Sequence, residues 1–176
     1  MRRTHLWPVV LLAAAGAIIL GCGDQTPLGV ARRAPEANGD LIGGLVTQAG
    51  LLTCQPLPYE STTQTIGPDG GTIWIGAYSL FIPAGALAAP TTITAVVAPG
   101  TVNAVQFEPA GLQFVQAAYL TMSYANCDLL GSLAPKRIAY TTDDLQILAY
   151  LRTVDDPIAQ QVTGELYHFS EYAIAW

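Results

Sequence analysis

From Thr62 to Trp176 the chain is a succession of short apolar, β-branched runs cut by Gly, Pro and Asp. The stretches TIWI, SLFIPAGAL, TTITAVVAPG, NAVQFEPAGLQF, AAYLTMSYANC and RIAYTTDDLQILAYL follow one another with no sustained helical period. Runs of this length, bounded by residues that preset φ or permit φ > 0, read as strands joined by turns. LQILAYL has helical propensity, but Asp143-Asp144 before it and the strand-like residues 137–141 make a hairpin the better reading. About eight to nine strands without crossover helices predict an all-β fold, an antiparallel β-sandwich.

The turn residues have assignable roles. Gly70-Gly71 suits a tight turn between two strands, and Ile82-Pro83 ends a strand because Pro cannot donate to the ladder. Gly85 permits a reversal, and Pro109 with Gly111 bends a strand whose Phe107, Leu112 and Phe114 are expected to point inward. Trp74 and Tyr78 are open between a binding surface and the core.

A different kind of segment precedes these strands. MRRTHLWPVVLLAAAGAIILGC has a basic start at Arg2 and Arg3 and an apolar run over residues 6–20, too short for a span of ~20 residues. Arg2-Arg3 suggests twin-arginine export, but the residues after it fit that motif poorly, which favours ordinary export. The run ends in Ile19-Leu20-Gly21-Cys22, which resembles a bacterial lipobox. That resemblance implies cleavage after Gly21, covalent lipid on Cys22, and a lipoprotein of the bacterial cell envelope on the extracytoplasmic side. A plain secretory signal or an uncleaved anchor is the alternative. Two or three acyl chains, at ~0.8 kcal/mol per buried CH₂, anchor a protein on a membrane. Residues 1–21 are thus expected to be a signal peptide, 22–61 the acylated Cys and a flexible tether, and 62–176 the folded head.

Composition narrows the partners. Of 7 Lys and Arg, the two at positions 2 and 3 leave with the leader, so five stand against 13 acidic residues, a formal charge of −8. No basic stripe remains to neutralise phosphates, so nucleic acid is not an expected partner. Cys54 and Cys127 remain in an exported chain and are expected to form a disulfide; two separate buried thiols are the alternative.

Conventional catalytic motifs are absent from the sequence. There is no G-x-S-x-G, no phosphate-binding G-x-x-x-x-G-K-[ST] and no H-E-x-x-H. His5 leaves with the leader, so His168 is the only imidazole left for an acid–base role. No metal set and no cofactor are expected; Asp143-Asp144 and Asp155-Asp156 read as polar turns rather than calcium ligands.

The order of GPDGGT at 67–72, LFIPAGAL at 80–87, Ile93-Thr94, FEPAGLQF at 107–114, LTMSY at 120–124 and HFSEY at 168–172 resembles the ZU5 domain. This β-sandwich module occurs in ankyrins, netrin receptors and death-domain scaffold proteins. The resemblance spans most of the chain from Thr62 and implies a non-catalytic scaffold or interaction module with a protein partner. In some ZU5-containing proteins the HFS triplet cleaves itself. Transferred to this chain, His168 would take the Ser170 hydroxyl proton, Ser170 would attack the Phe169 carbonyl, and water would open the ester. The residues themselves also read as a plain closing strand, with Tyr167, Phe169, Tyr172, Ile174 and Trp176 in series. A carbohydrate- or cation-binding sandwich is a further alternative. The apolar alternation ending in Trp176 is like the last strand of an outer-membrane barrel, but such strands need ~9–11 residues, and Pro83, Pro90, Pro99 and Pro109 interrupt the runs here.

Overall fold

The computed structural model describes residues 50–131 and 133–176; the signal peptide, Cys22 and most of the expected tether lie outside them. Eleven strands and no helix are present among the described residues. They are β1 (Glu60–Ile66), β2 (Gly71–Ile75), β3 (Tyr78–Ile82), β4 (Thr91–Val97), β5 (Ala104–Glu108) and β6 (Gln113–Ser123). β7 (Arg137–Thr141), β8 (Ile147–Tyr150), β9 (Arg152–Asp156), β10 (Gln161–His168) and β11 (Glu171–Ala175) complete the set. They form a six-stranded sheet, β1-β4-β5-β11-β7-β8, and a five-stranded sheet, β2-β3-β6-β10-β9. Every pairing is antiparallel. The all-β sandwich expected from the turn-punctuated runs is therefore present, and LQILAYL contributes the second strand of the β7–β8 hairpin.

The core lies between the sheets and follows the period-2 alternation. β4 sends in Ile93, Ala95 and Val97, while β6 sends in Phe114, Ala118, Leu120 and Met122. A second, smaller apolar layer covers the outer side of the six-stranded sheet: Leu51, Ala139, Ala173 and Ala175, flanked by Val102, Leu145 and Ile147. Alanines on β7 and β11 let this covering layer approach the sheet closely.

The head begins earlier than the expected boundary at Thr62. Leu51, Leu52 and Cys54 are buried. Leu51 bridges Ala175, and Leu52 N–H donates to Ile174 O at 3.0 Å. Cys54 is disulfide-bonded to Cys127 across a sequence separation of 73. Cys54 N–H donates to Thr101 O, and Asp128 N–H to Thr53 O, both at 2.8 Å. This stretch falls within residues 22–61, expected to be the acylated Cys and tether. Its backbone bonds and two leucines tie it to the sandwich.

The closing segment also differs from a single strand. β10 belongs to the five-stranded sheet and β11 to the other, where it is an interior strand between β5 and β7. The chain changes sheets at Phe169-Ser170.

Candidate functional site

Two places carry chemistry, and the first is that crossover. β10 alternates with Val162, Gly164 and Leu166 buried, then shifts register so that His168 pairs with Gln113. One residue later Phe169 is buried as well, so the alternation breaks where the chain leaves the sheet. A second crossover runs beside it: residues 109–112 carry the chain from β5 in one sheet to β6 in the other. The two crossovers are stitched by backbone bonds. Phe169 N–H donates to Leu112 O at 2.8 Å, Gly111 N–H to Phe169 O at 3.0 Å, and Phe107 N–H to Ser170 O at 3.1 Å. The Glu108–Pro109 peptide is cis, and Gly111 has φ +74°. FEPAGLQF and HFSEY, far apart in sequence, are neighbours at this place.

Aromatic packing fills the space beneath. Phe169 stacks on Phe107 with centroids 5.1 Å apart and meets Phe114 edge-on at 5.0 Å. Phe107 and Phe114 therefore point inward as expected, and Leu112 packs partly buried against the same core. Offset and edge contacts of this kind add to the burial itself.

His168 turns its ring edge to Tyr140, centroids 4.9 Å apart. Its carbonyl accepts from Tyr172 Oη at 2.5 Å, while its Nδ1 lies 3.5 Å from both Phe169 O and Tyr172 Oη. Burial, then the charge of Tyr140, pushes the Tyr172 phenol well above its ordinary pKa, which keeps it a donor. Among the described residues no hydrogen bond joins the His168 ring to the Ser170 hydroxyl. The Phe169 carbonyl thus has a backbone donor of the kind a tetrahedral intermediate uses, but the imidazole faces Tyr172 and that carbonyl rather than the nucleophile. His168 ends β10 and Phe169-Ser170 form the kink after it, without a base–nucleophile contact.

The second place is the outer face of the five-stranded sheet. Across the β2–β3 turn, Ile75 pairs with Tyr78 facing inward, and Trp74 pairs with Ser79 facing outward. The two aromatic residues left open by the sequence therefore separate: Trp74 is 69% exposed and Tyr78 only 1%. Phe81 and Tyr119 are register partners on the same outer face, both substantially exposed, with stacked rings 6.3 Å apart. Thr121 and Thr163 continue the surface, joined hydroxyl to hydroxyl at 2.8 Å. Sequence inspection missed Phe81 and Tyr119, because each lies in a run whose other large residues are buried. Strict alternation from the buried Leu80 and Leu120 was the available signal.

The acidic pairs take separate places. Asp155 accepts from Tyr124 Oη at 2.7 Å and from the Lys136 N–H at 2.8 Å. Asp156 accepts the N–H groups of Ile158 and Ala159, both at 3.0 Å, as an ordinary turn residue does. Asp143 and Asp144 lie in the β7–β8 hairpin loop. Among the described residues no group of three or more His, Cys, Asp or Glu is arranged to hold a metal ion.

These strands and faces define an eleven-stranded antiparallel β-sandwich with an exposed aromatic face. No protein-family model matches the chain, and no curated protein matches it.

Proposed function

We propose that this chain is a lipoprotein of the bacterial cell envelope, anchored on the extracytoplasmic side by lipid on Cys22, whose ZU5-like sandwich is a non-catalytic interaction module. The lipobox-like Ile19-Leu20-Gly21-Cys22 supports the anchor. The observation that carries the interaction reading is the Trp74–Phe81–Tyr119 face. Exposed aromatic side chains gathered on one sheet face are typical of surfaces that bind, since aromatic anchors dominate interface energetics. The partner is a protein; no cofactor beyond the covalent lipid enters this reading, and nucleic acid is not a partner.

A photo-crosslinking residue in place of Tyr119, in intact cells, tests this. A protein adduct that disappears when Trp74→Ala is added is the expected result; a face that yields no adduct overturns the reading. Cys22→Ser moves the protein from the membrane to the soluble fraction if the anchor is right. The same rings suit the flat face of a sugar, so a glycan adduct instead of a protein would favour the carbohydrate-binding alternative.

A second reading is favoured by the Gly111 N–H on the Phe169 carbonyl: a self-cleaving head cut between Phe169 and Ser170. We rank it second, since the His168 ring lies against Tyr172 and the Phe169 carbonyl. Intact mass under denaturing conditions, with Ser170→Ala as control, separates the two. One uncut species is expected; two fragments that vanish in the variant reverse the order.

A further inference from the structure

A groove of about 300 Å³ opens on the outer side of the six-stranded sheet, between the 98–102 loop and the β7–β8 loop. Its walls include Val96, Val102, Ala104 and Leu145, and Gln106 and Glu171 also line it. Glu171 stands between Gln106 and Thr141, its uncharged cross-strand neighbours. The Thr141 hydroxyl donates to the Glu171 backbone carbonyl, not to the carboxyl. Among the described residues no Lys or Arg lines the groove.

We propose that this groove binds the side chain of a lysine presented by a partner protein, with the ammonium on Glu171 and the aliphatic stem along Val102 and Leu145. Charge and shape both point there. Glu171 is half-buried, and among the described residues nothing in the walls supplies a counter-charge that would hold it ionised. Asp143 adds a second negative charge beside it, which strengthens the field for a cation. The other charged groups leave that balance acidic. Glu108, further along β5, is occupied capping the Ala110 N–H at 2.6 Å, and Asp144 follows Asp143 in the β7–β8 loop. Arg137, at the far end of β7, stacks 3.9 Å over the Tyr150 ring. The 98–102 loop carries no charge. One carboxylate and apolar walls do not supply the oxygen set of a metal site, whereas an ammonium on a hydrocarbon stem uses both features. The groove volume is at the lower end of the range for ligand pockets.

The electrostatics of the groove agree with its geometry. Burial, then the charge of Asp143, pushes the Glu171 carboxyl up to about 7. A bound ammonium would draw it back toward the ordinary carboxylate range, so binding strengthens as pH rises.

The protein origin of the lysine rests on the interaction reading; the groove itself does not, and it is separate from the aromatic face. The probe is therefore a small molecule, Nα-acetyl-lysine methylamide, titrated into the isotope-labelled full chain in detergent and followed by NMR. Saturable shifts confined to residues 96–106, 141–145 and 171 are expected. Affinity should be at least about tenfold weaker for the norleucine analogue, for Glu171→Gln, and at pH 5 relative to pH 8. Equal binding of the norleucine analogue, or an unchanged Glu171→Gln, overturns the proposal. So does the absence of saturable shifts at pH 8. Glu171→Gln keeps the side-chain shape, and its unbound spectrum reports whether the fold is intact. A lysine titration that succeeds while crosslinking at Tyr119 fails would leave the groove standing and remove the aromatic face.

Discussion

The N–H of Gly111 donates to the carbonyl of Phe169 at 3.0 Å, bonding the two loops that carry the chain between the sheets. This places Phe169 at the centre of the fold rather than on a terminal strand. Phe169→Ala is expected to cost about 3–5 kcal/mol in urea unfolding, the range for a buried aromatic truncated in a packed core. Ser170→Ala, half-exposed beside it, should stay within about 0.5 kcal/mol of the parent. Equal effects at the two positions would contradict the packing described.

Gly70 and Gly111 make a matched comparison, with φ of +75° and +74°. At Gly70 an added Cβ would lie 2.3 Å from Ile82 O and 2.7 Å from Ala84 N, whereas at Gly111 it meets nothing within 4 Å. Gly111→Ala should therefore cost only the left-handed penalty of about 1–2 kcal/mol. Gly70→Ala must also displace backbone, and more than about 3 kcal/mol is expected. Thermal unfolding of both variants distinguishes them.

Tyr78 is buried with its hydroxyl unpaired. Burial alone drives its phenol far above the usual value. A buried polar group without a partner costs free energy in the folded state, so Tyr78→Phe should stabilise by about 1 kcal/mol. A loss of stability on that substitution would mean that a bound water satisfies the hydroxyl.

The Cys54–Cys127 bridge ties the segment before β1 to the loop after β6, closing 73 residues of chain. In the chain-entropy model a loop of that length stabilises by about 4 kcal/mol. Adding reductant, or making the Cys54→Ala/Cys127→Ala variant, should lower the urea midpoint accordingly. The reduced parent and the double variant should then unfold together.

Glu171 is raised from 4.5 to about 7 by burial first and Asp143 second. The folded state then holds a proton that the unfolded state has released, so this group's stabilisation is complete below pH 4.5 and is lost as pH rises through about 7. The carboxyl is only half-buried, and solvent screening reduces the loss to the order of 1 kcal/mol. Glu171→Gln should flatten the stability profile between those pH values and leave the variant more stable than the parent at pH 8. Urea unfolding across the range measures it.

Strand period, turn residues and the two cysteines were legible from local pattern alone. TTITAVV alternates, and Ile93, Ala95 and Val97 are buried. GPDGG makes the turn that Gly70 requires. These are short-range properties: a side chain's alternation and a glycine's φ depend on residues a few positions away. HFSEY was legible as strand-forming, but not as a change of sheet. That depends on residues 109–112, more than fifty positions earlier, offering their backbone groups.

The sequence by itself determined an all-β chain, the spacing of its turns and its acidic balance. Tertiary structure alone decided which sheet each strand joins, that residues 50–59 belong to the head, and that Trp74 faces out while Tyr78 faces in. It also decided that Glu171 lies in a groove near Asp143. Strand propensity acts along the chain, whereas sheet membership and burial of a particular face depend on long-range contacts. No local window contains both partners of such a contact.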